Sequence, residues 1–353
     1  MSWSTMLAGF AGAIAGLGPL VFFHELGHFA GLKIYKLPVH IFSLGFGSAL
    51  IKKKIGQTEY RISAIPLGGY VMPEDPLKVE ARHKSGGSLF PSFTPWQNLV
   101  MALGGPCANL LLAAVLFFIV NCFWGESHPI PVIDQVMQNT PAQQAGLTNG
   151  DQIIRMNDVE ITNWQQFSTA AAINGNNQAS IAVVRKGVTI LFNITPVFDG
   201  SRHIIGIKPK FESNNPLSVI DSLYLSVIRT VRESVNVLLA LKSVVFSVNA
   251  GCLTGPVSII SQTFSIASDG LASFLTFIAI LSVNFAVFNL LPIPPLDGTR
   301  ICMALYEIIF RNPMKESIII PVYKYGVIGL LIVFAIITLR DLSNIIQLSE
   351  IFH

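Results

Sequence analysis

The sequence predicts a polytopic α-helical membrane protein with about four transmembrane helices, a membrane-associated β-hairpin region and one soluble α+β domain. Of its 353 residues, 51% are apolar and only 12% are charged, whereas soluble domains carry about 25% charged residues. Four apolar stretches are long enough to cross a bilayer, which takes about 20 residues as a helix. Between the second and third stretches lies a polar segment that contains short alternating strands. This order predicts two spans before the soluble domain and two spans after it.

The four predicted spans cover residues 6–30, 99–123, 271–291 and 318–339. The stretch 218–248 is also apolar, but Arg229, Arg232 and Glu233 lie in its middle. Charges at that depth make a spanning helix costly. We therefore predict an amphipathic helix at the membrane surface for this stretch.

Four domains follow from this pattern. They are the first two spans with their connecting loop (1–124), the soluble domain (125–212), an amphipathic connecting region (213–270) and the last two spans (271–353). The loop between the first two spans holds nine lysine and arginine residues, and the first ten residues hold no charge. Since positive loops stay in the cytoplasm, this loop should be cytoplasmic and the soluble domain extracytoplasmic.

His24-Glu25-Leu26-Gly27-His28 is an H-E-x-x-H motif. Histidines four residues apart share one face of a helix, where both can bind zinc, and the adjacent glutamate can take a proton from zinc-bound water. The motif lies inside the first apolar span, where ionisable residues usually mark a functional site. It therefore predicts a catalytic zinc centre. The alternative is a polar helix-packing cluster without metal.

A catalytic zinc site needs three protein ligands and one open position. Asp297 is the best candidate for the third ligand, because it follows the third span on the side where the first span ends after His28. Three prolines between residues 292 and 295 break the helix there. Broken backbone at membrane depth is tolerated where it is buried or lines a wet cavity. The alternative is that Asp297 is a turn or cap residue before Gly298.

Several motifs occur in one order along the chain. They are residues 24–28, 43–47 (Ser-Leu-Gly-Phe-Gly), 65–71 (Ile-Pro-Leu-Gly-Gly-Tyr-Val), Gly105-Pro106 with Asn109, 253–256 (Leu-Thr-Gly-Pro) and 289–298. With them the chain resembles the site-2 protease family of intramembrane metalloproteases, most closely the bacterial RseP type. The resemblance implies that His24, His28 and Asp297 bind zinc and that Glu25 is the general base. It also implies that Asn289 contacts the substrate backbone near the scissile bond.

The function implied by the resemblance is that of a zinc metalloendopeptidase in the bacterial inner membrane, with its active site near the cytoplasmic side. Its substrates would be single-span membrane proteins, such as an anti-sigma factor or signal-peptide remnants. A net charge of +3 without a long basic run does not predict a nucleic-acid partner. Two alternatives are a catalytically inactive peptide-binding scaffold and a transporter, which would carry an internal repeat; we find none in the sequence.

The loop from Phe42 to Met72 is rich in glycine, with extended runs at 48–51 and 60–65. We predict β-hairpins there. A helical substrate must unwind before it is cut, and an exposed sheet edge could hold the unwound segment by strand addition. The resemblance implies that this loop, with Gly68 and Gly69, binds the substrate. The alternative is a plain cytoplasmic hairpin.

The soluble segment 131–211 contains the turn motif Thr140 to Leu147, and two alternating strands follow at 180–185 and 188–195. It resembles a PDZ domain of the circularly arranged bacterial type. Such a domain would bind an extended peptide or a free C-terminus beside an edge strand, and we predict that the strand near 131–136 flanks that groove. The RseP type usually has two PDZ domains, and this chain has one. The alternative is a folded spacer without a ligand.

Overall fold

The computed structural model describes residues 3–73, 93–198, 203–213, 215–247, 266 and 270–351. The chain divides into two units. The helical unit consists of residues 1–119, 222–239 and 254–353, and the sheet unit of residues 120–221 and 240–253.

In chain order, the helices of the described residues are α1 (Trp3–Ile34), α2 (Pro95–Trp124), α3 (Pro141–Ala145), α4 (Trp164–Asn174), α5 (Val219–Ser247), α6 (Leu271–Asn289), α7 (Asp297–Phe310) and α8 (Glu316–Ile351). The strands are β1 (Ile41–Ile55), β2 (Thr58–Met72), β3 (Ser127–Val136), β4 (Gln152–Met156), β5 (Val159–Glu160), β6 (Ala179–Arg185), β7 (Val188–Ile194), β8 (Val197–Phe198), β9 (His203–Ile204) and β10 (Ile207–Ser213).

Three helices of the described chain are long and apolar enough to cross a membrane: α2, α6 and the segment Glu316–Leu339 of α8. They coincide with the second, third and fourth predicted spans, and the chain is a membrane protein. The first predicted span, 6–30, lies in α1, whose side chains are described only from residue 18 onward. A count of four spans therefore stays a prediction.

Helices α1 and α2 pack at a contact between two glycines. A Cβ atom on Gly27 would lie 2.0 Å from the carbonyl oxygen of Gly104, and one on Gly104 would lie 2.3 Å from that of Gly27. Two backbones can approach so closely only where neither residue has a side chain. Further along, Leu20, Leu112 and Ile278 form a buried cluster of α1, α2 and α6. This packing places α2 and α6 beside the H-E-x-x-H face of α1.

Strands β1 and β2 form an antiparallel pair in which each strand bends back on itself. Ile41 pairs with both Glu59 and Met72. The strand segments therefore lie in the order 51–55, 58–62, 41–44 and 69–72, and among the described residues segment 69–72 is an edge of the sheet. Gly45 and Gly47 have φ values of 88° and 85°, which a residue with a side chain rarely adopts; they allow β1 to bend. The predicted hairpin runs, 48–51 and 60–65, lie within these strands.

Helix α5 is the predicted amphipathic helix. The polar residues Ser222, Ser226 and Thr230 are buried, and the guanidinium of Arg229 lies 4.5 Å from the ring centre of Phe117 in α2. The apolar side chains point outward and include Ile220, Leu223, Val227, Val231 and Val235. This arrangement reverses that of a helix on a soluble protein and suits contact with lipid. Its position at the membrane surface stays a prediction.

The sheet unit contains a sheet in the order β10-β3-β4-β6-β7, with β5 paired to β4. Its core includes Ile133, Ile153, Phe167 and Ile181. A bidentate ion pair joins β6 to the residue before β4, since Nε and Nη2 of Arg185 lie 2.7 Å from the two carboxylate oxygens of Asp151. Burial alone would raise the pKa of the Asp151 carboxyl, but hydrogen bonds from Arg185 and Thr148 hold that pKa below its ordinary value.

The predicted position of the groove-flanking strand is wrong. Strand β3 contains residues 131–136, but it pairs with β10 on one side and with β4 on the other. A peptide cannot add to a strand whose two edges are already paired. In the described part of this sheet, the unpaired edge next to β3 belongs to β10, so strand addition would take place there.

Candidate metal centre

His24 and His28 lie one turn apart on α1, with their Nε2 atoms 3.2 Å apart. His24 is 6% exposed. The Nδ1 atom of His28 lies 2.8 Å from the carbonyl oxygen of Met101 in α2. A carbonyl can only accept, so Nδ1 of His28 carries the hydrogen and Nε2 is left with its lone pair. This is the protonation state in which a histidine binds a metal.

Asp297, the first residue of α7, brings the third side chain to this point. Its Oδ2 atom lies 3.1 Å from Nε2 of His24 and 3.3 Å from Nε2 of His28. Both contacts are within ion-pair distance, but Oδ2 is buried and has no hydrogen-bond partner. A buried carboxylate oxygen that receives no hydrogen bond is costly. The three atoms instead face one another around a shared point.

The distances fit zinc. Ligand atoms about 2.0–2.1 Å from a tetrahedral zinc ion are separated by about 3.3 Å from one another. The separations of 3.1, 3.2 and 3.3 Å match the edges of that tetrahedron. Across the described ranges, this is also the one group of three or more His, Cys, Asp or Glu side chains that could hold a metal ion. The structure thus brings together the three ligands predicted from the sequence.

The turn from α6 to α7 positions Asp297. A Cβ atom on Gly298 would lie 2.2 Å from the carbonyl oxygen of Leu291, so the first turn of α7 packs directly on the end of α6. Only glycine fits there. As an acidic residue in the first turn of α7, Asp297 also lies at the positive end of the helix dipole.

Gly105 of α2 lies against both histidines. A Cβ atom there would lie 2.6 Å from Nε2 of His28 and 2.7 Å from Cε1 of His24. The absence of a side chain at Gly105 therefore leaves the room that the two rings occupy. The sequence showed Gly105 only as part of a motif, and its contact with the ligands emerges from the packing of α2 on α1.

Glu25 is 8% exposed and lies against β2. A Cβ atom on Gly69 would lie 2.7 Å from Cγ of Glu25 and 2.7 Å from the carbonyl oxygen of Ser43. Gly69 thus makes room for the glutamate at the edge segment 69–72.

At Gly68 the φ value is 114°, and a Cβ atom would lie 2.3 Å from the ring of Phe46. The two predicted substrate-binding glycines are therefore close to the predicted base.

Asn289 is the last residue of α6, and its Nδ2 donates a 2.9 Å hydrogen bond to the carbonyl of Phe285. The Phe285 ring contacts the His24 ring edge to face, with centroids 5.1 Å apart. The structure therefore places Asn289 one turn from a residue that packs on the metal centre. It does not give Asn289 a direct contact with a predicted ligand.

A cavity of about 530 Å³ adjoins this region of the helical unit. Its lining includes Val71 of β2, Met101 of α2 and Arg300 of α7. Met101 is the residue whose carbonyl fixes His28, and Arg300 lies one turn after Asp297. Neither the three predicted ligands nor Glu25 is among its lining residues, so the cavity neighbours the centre without containing it.

Comparison with known proteins adds a family to this geometry. The profile of peptidase family M50 matches residues 12–333. A protein of Clostridium acetobutylicum is 32% identical over 332 residues, which cover 93% of this chain and 96% of that protein. A protein of Rickettsia conorii is 29% identical, with coverage of 95% and 98%, and one of Campylobacter jejuni is 29% identical, with coverage of 93% and 91%. Each of the three carries the name "putative zinc metalloprotease".

Proposed function

The chain belongs to peptidase family M50, the site-2 protease family, and on that premise we propose that it hydrolyses peptide bonds within transmembrane segments of single-span membrane proteins. It is a zinc-dependent metalloprotease of the membrane. The observation that carries the proposal is the convergence of His24, His28 and Asp297 on one buried point. The centre lies between helices that include two long enough to span a membrane.

We assign His24, His28 and Asp297 as the zinc ligands. When bound, zinc supplies a Lewis acid that lowers the pKa of a coordinated water molecule and polarises the substrate carbonyl. The three residues fill three positions and leave the fourth open, as in other catalytic zinc sites. Met101 holds the His28 ring through its carbonyl, so the ring keeps its orientation when substrate enters.

Glu25 is proposed as the general base. It follows His24 directly in α1, yet its side chain is turned toward Gly69 and is not part of the ligand group. From there its carboxylate can take a proton from the attacking water and later return it to the leaving amine. Burial at 8% exposure keeps bulk water from competing for that proton.

The edge segment 69–72 is proposed as the place where the unwound substrate binds. Segment 41–44 occupies one side of it, and its residue Gly69 touches Glu25. A substrate strand added to this edge would run past the proposed base and the metal. Asn289, at the end of α6, is proposed to hold the substrate backbone near the scissile bond, as the family resemblance implies.

The experiment that tests this function is a comparison of membrane fragments. Membranes that contain the active chain and membranes that contain Glu25→Gln are compared by quantitative proteomics. The proposal predicts that single-span proteins, such as an anti-sigma factor or signal-peptide remnants, accumulate uncut only in the variant. Equal fragment populations in both membranes would contradict it.

Gly105→Ala is expected to weaken zinc binding. The new methyl group would lie 2.6 Å from Nε2 of His28, so the ring must move out of its ligand position. Displacement of a ligand should cost at least the roughly 10- to 100-fold in metal affinity that is typical of perturbing its supports. Alanine is a better helix former than glycine by about 1 kcal/mol, so the loss cannot come from a weakened α2. Chelator competition on the purified chain measures the affinity.

Gly329→Ala is the matched control for this change. It also replaces a glycine within a membrane helix, but its Cβ atom would meet nothing within 4 Å. The control should bind zinc like the wild type. Wild-type affinity in Gly105→Ala would contradict the proposed place of the histidines.

The sheet unit is proposed to be an extracytoplasmic PDZ domain that selects substrates. Its six-stranded sheet and two helices, α3 and α4, are compatible with that fold. The edge of β10 that no described strand pairs with offers a site for an extended peptide or a free C-terminus. Fold alone does not fix such a role, so the role needs a test that separates it from catalysis.

Removing the PDZ domain is expected to widen the substrate range without abolishing cleavage. Ser127 and Ser213 are partners in adjacent strands, so a short flexible linker can replace residues 128–212. We expect the shortened chain to cut a pre-trimmed single-span substrate and also an untrimmed one with a bulky outer domain. Cleavage of both in vesicles, by gel shift of labelled substrate, is the measurement.

Glu25→Gln in the shortened chain serves as the control, because it should cut neither substrate. A zinc-loaded shortened chain that also cuts neither would show that the domain is needed for catalysis or assembly. An unchanged substrate range would show that the domain does not select.

A further inference from the structure

Asn109 of α2 lies beside the ring nitrogen of His24 that does not face Asp297. Its Nδ2 is 3.3 Å from Nδ1 of His24. Asn109 is 0% exposed, and its Oδ1 has no hydrogen-bond partner. The hydroxyl of Ser282 in α6 donates a 2.8 Å hydrogen bond to the backbone carbonyl of Asn109. The backbone at Asn109 is thus tied to α6, while its buried side chain lies against His24.

The orientation of the Asn109 amide depends on which ring nitrogen of His24 carries the hydrogen. With Nε2 of His24 directed to the metal, Nδ1 must carry the hydrogen and needs an acceptor. A half-turn of the Asn109 amide exchanges its nitrogen and oxygen at nearly the same place. Oδ1 then accepts a hydrogen bond from Nδ1–H of His24. The oxygen then has a donor, the amide nitrogen takes the position that the oxygen held, and the histidine gains the same kind of support that the Met101 carbonyl gives His28.

We propose that Asn109 is a positioning residue that fixes the tautomer and ring orientation of His24 for zinc binding. Groups behind metal-bound histidines act in this way in many zinc proteins, and their removal typically costs about 10- to 100-fold in metal affinity. The inference rests on the proposed assignment of His24 as a ligand. It goes beyond that assignment because it concerns a residue that touches neither the metal nor the substrate.

The experiment measures zinc affinity of the full-length chain in detergent by chelator competition. Asn109→Leu removes the acceptor at similar volume and should weaken zinc binding about 10- to 100-fold. Asn109→Asp keeps an oxygen acceptor and should restore affinity to the wild-type level or above it. Asn121→Leu is the matched control, because Asn121 is also a buried asparagine of α2 with an unpaired Oδ1. It should leave the affinity unchanged.

Cobalt substitution gives a second readout that does not depend on activity. The visible absorption of bound Co(II) reports the ligand geometry, so the band should shift in Asn109→Leu and not in Asn109→Asp or Asn121→Leu. Wild-type affinity and spectrum in Asn109→Leu would overturn the inference, and so would equal losses in Asn109→Asp or Asn121→Leu. If Asn109→Leu does not elute as a folded protein, Asn109→Ala takes its place.

His24→Ala separates this inference from the metal site itself. Loss of zinc in His24→Ala, with wild-type binding in Asn109→Leu, would overturn only the role of Asn109. Retention of zinc in His24→Ala would instead overturn the assignment of the ligands.

Discussion

Glu25→Gln is expected to stop proteolysis while the chain keeps its zinc. The glutamine side chain has the same shape and fits against Gly69, where Glu25 lies, but it cannot accept the proton of the attacking water. Loss of a positioned general base typically lowers a rate by about 10²- to 10⁴-fold. The three proposed ligands do not include Glu25, so metal content should stay at one zinc per chain. Cleavage of a labelled single-span reporter in vesicles and elemental analysis measure the two quantities.

Glu307→Gln is the control for this variant. Glu307 also lies in the helical unit and lines the neighbouring cavity, but it is not placed in the catalytic machinery. It should keep both zinc and cleavage. A Glu25→Gln chain that cuts the reporter at the wild-type rate would show that another group takes the proton. A Glu25→Gln chain that loses its zinc would show that Glu25 supports the metal centre itself.

The grouping of His24, His28 and Asp297 was largely predictable because its main signal is local. The spacing of His24 and His28 places them on one helix face wherever the helix lies. Asp297 is far away in sequence, yet the order of the spans put it on the same side of the membrane as His28. In a membrane protein, the order of the spans predicts which residues share a depth in the bilayer. Residues that are distant in sequence can therefore be predicted to lie close together.

The residues of α2 that contact His24 and His28 could not be predicted in the same way. Gly105, Asn109 and the carbonyl of Met101 lie against the histidines from α2. Which face of α2 meets α1 depends on the crossing of the two helices at Gly27 and Gly104. In an apolar span all faces look alike in sequence, so periodicity gives no sign of the face that packs.

Strand order was the other point where the sequence was insufficient. Alternation identified the strands of the sheet unit, but it does not state which strand pairs with which. The edge was therefore assigned to residues 131–136, whereas β3 is paired on both sides and β10 is the end strand next to it in the described sheet. The bend in β1 at Gly45 and Gly47 likewise converts a simple hairpin into four paired segments.

Asp297→Ala is expected to remove zinc and activity together. Two histidine ligands bind zinc more weakly than three ligands do. The loss of zinc affinity should exceed the roughly 10- to 100-fold that is typical when a group that hydrogen-bonds to a ligand is removed. The buried Oδ2, which has no hydrogen-bond partner, has no other evident role than metal binding. Zinc per chain after dialysis, together with reporter cleavage, measures the outcome. His28→Ala should behave in the same way.

Asp221→Ala controls for the helix dipole, because Asp221 is also an acidic residue in the first turn of a helix, α5, and lies outside the metal centre. It should keep zinc and activity, so any loss in Asp297→Ala reports the missing ligand and not a weakened helix start. Full retention of zinc in Asp297→Ala would show that another residue completes the site. Retention of zinc with loss of cleavage would give Asp297 a role toward substrate or water, which its 3.1 Å and 3.3 Å distances to the two histidines do not favour.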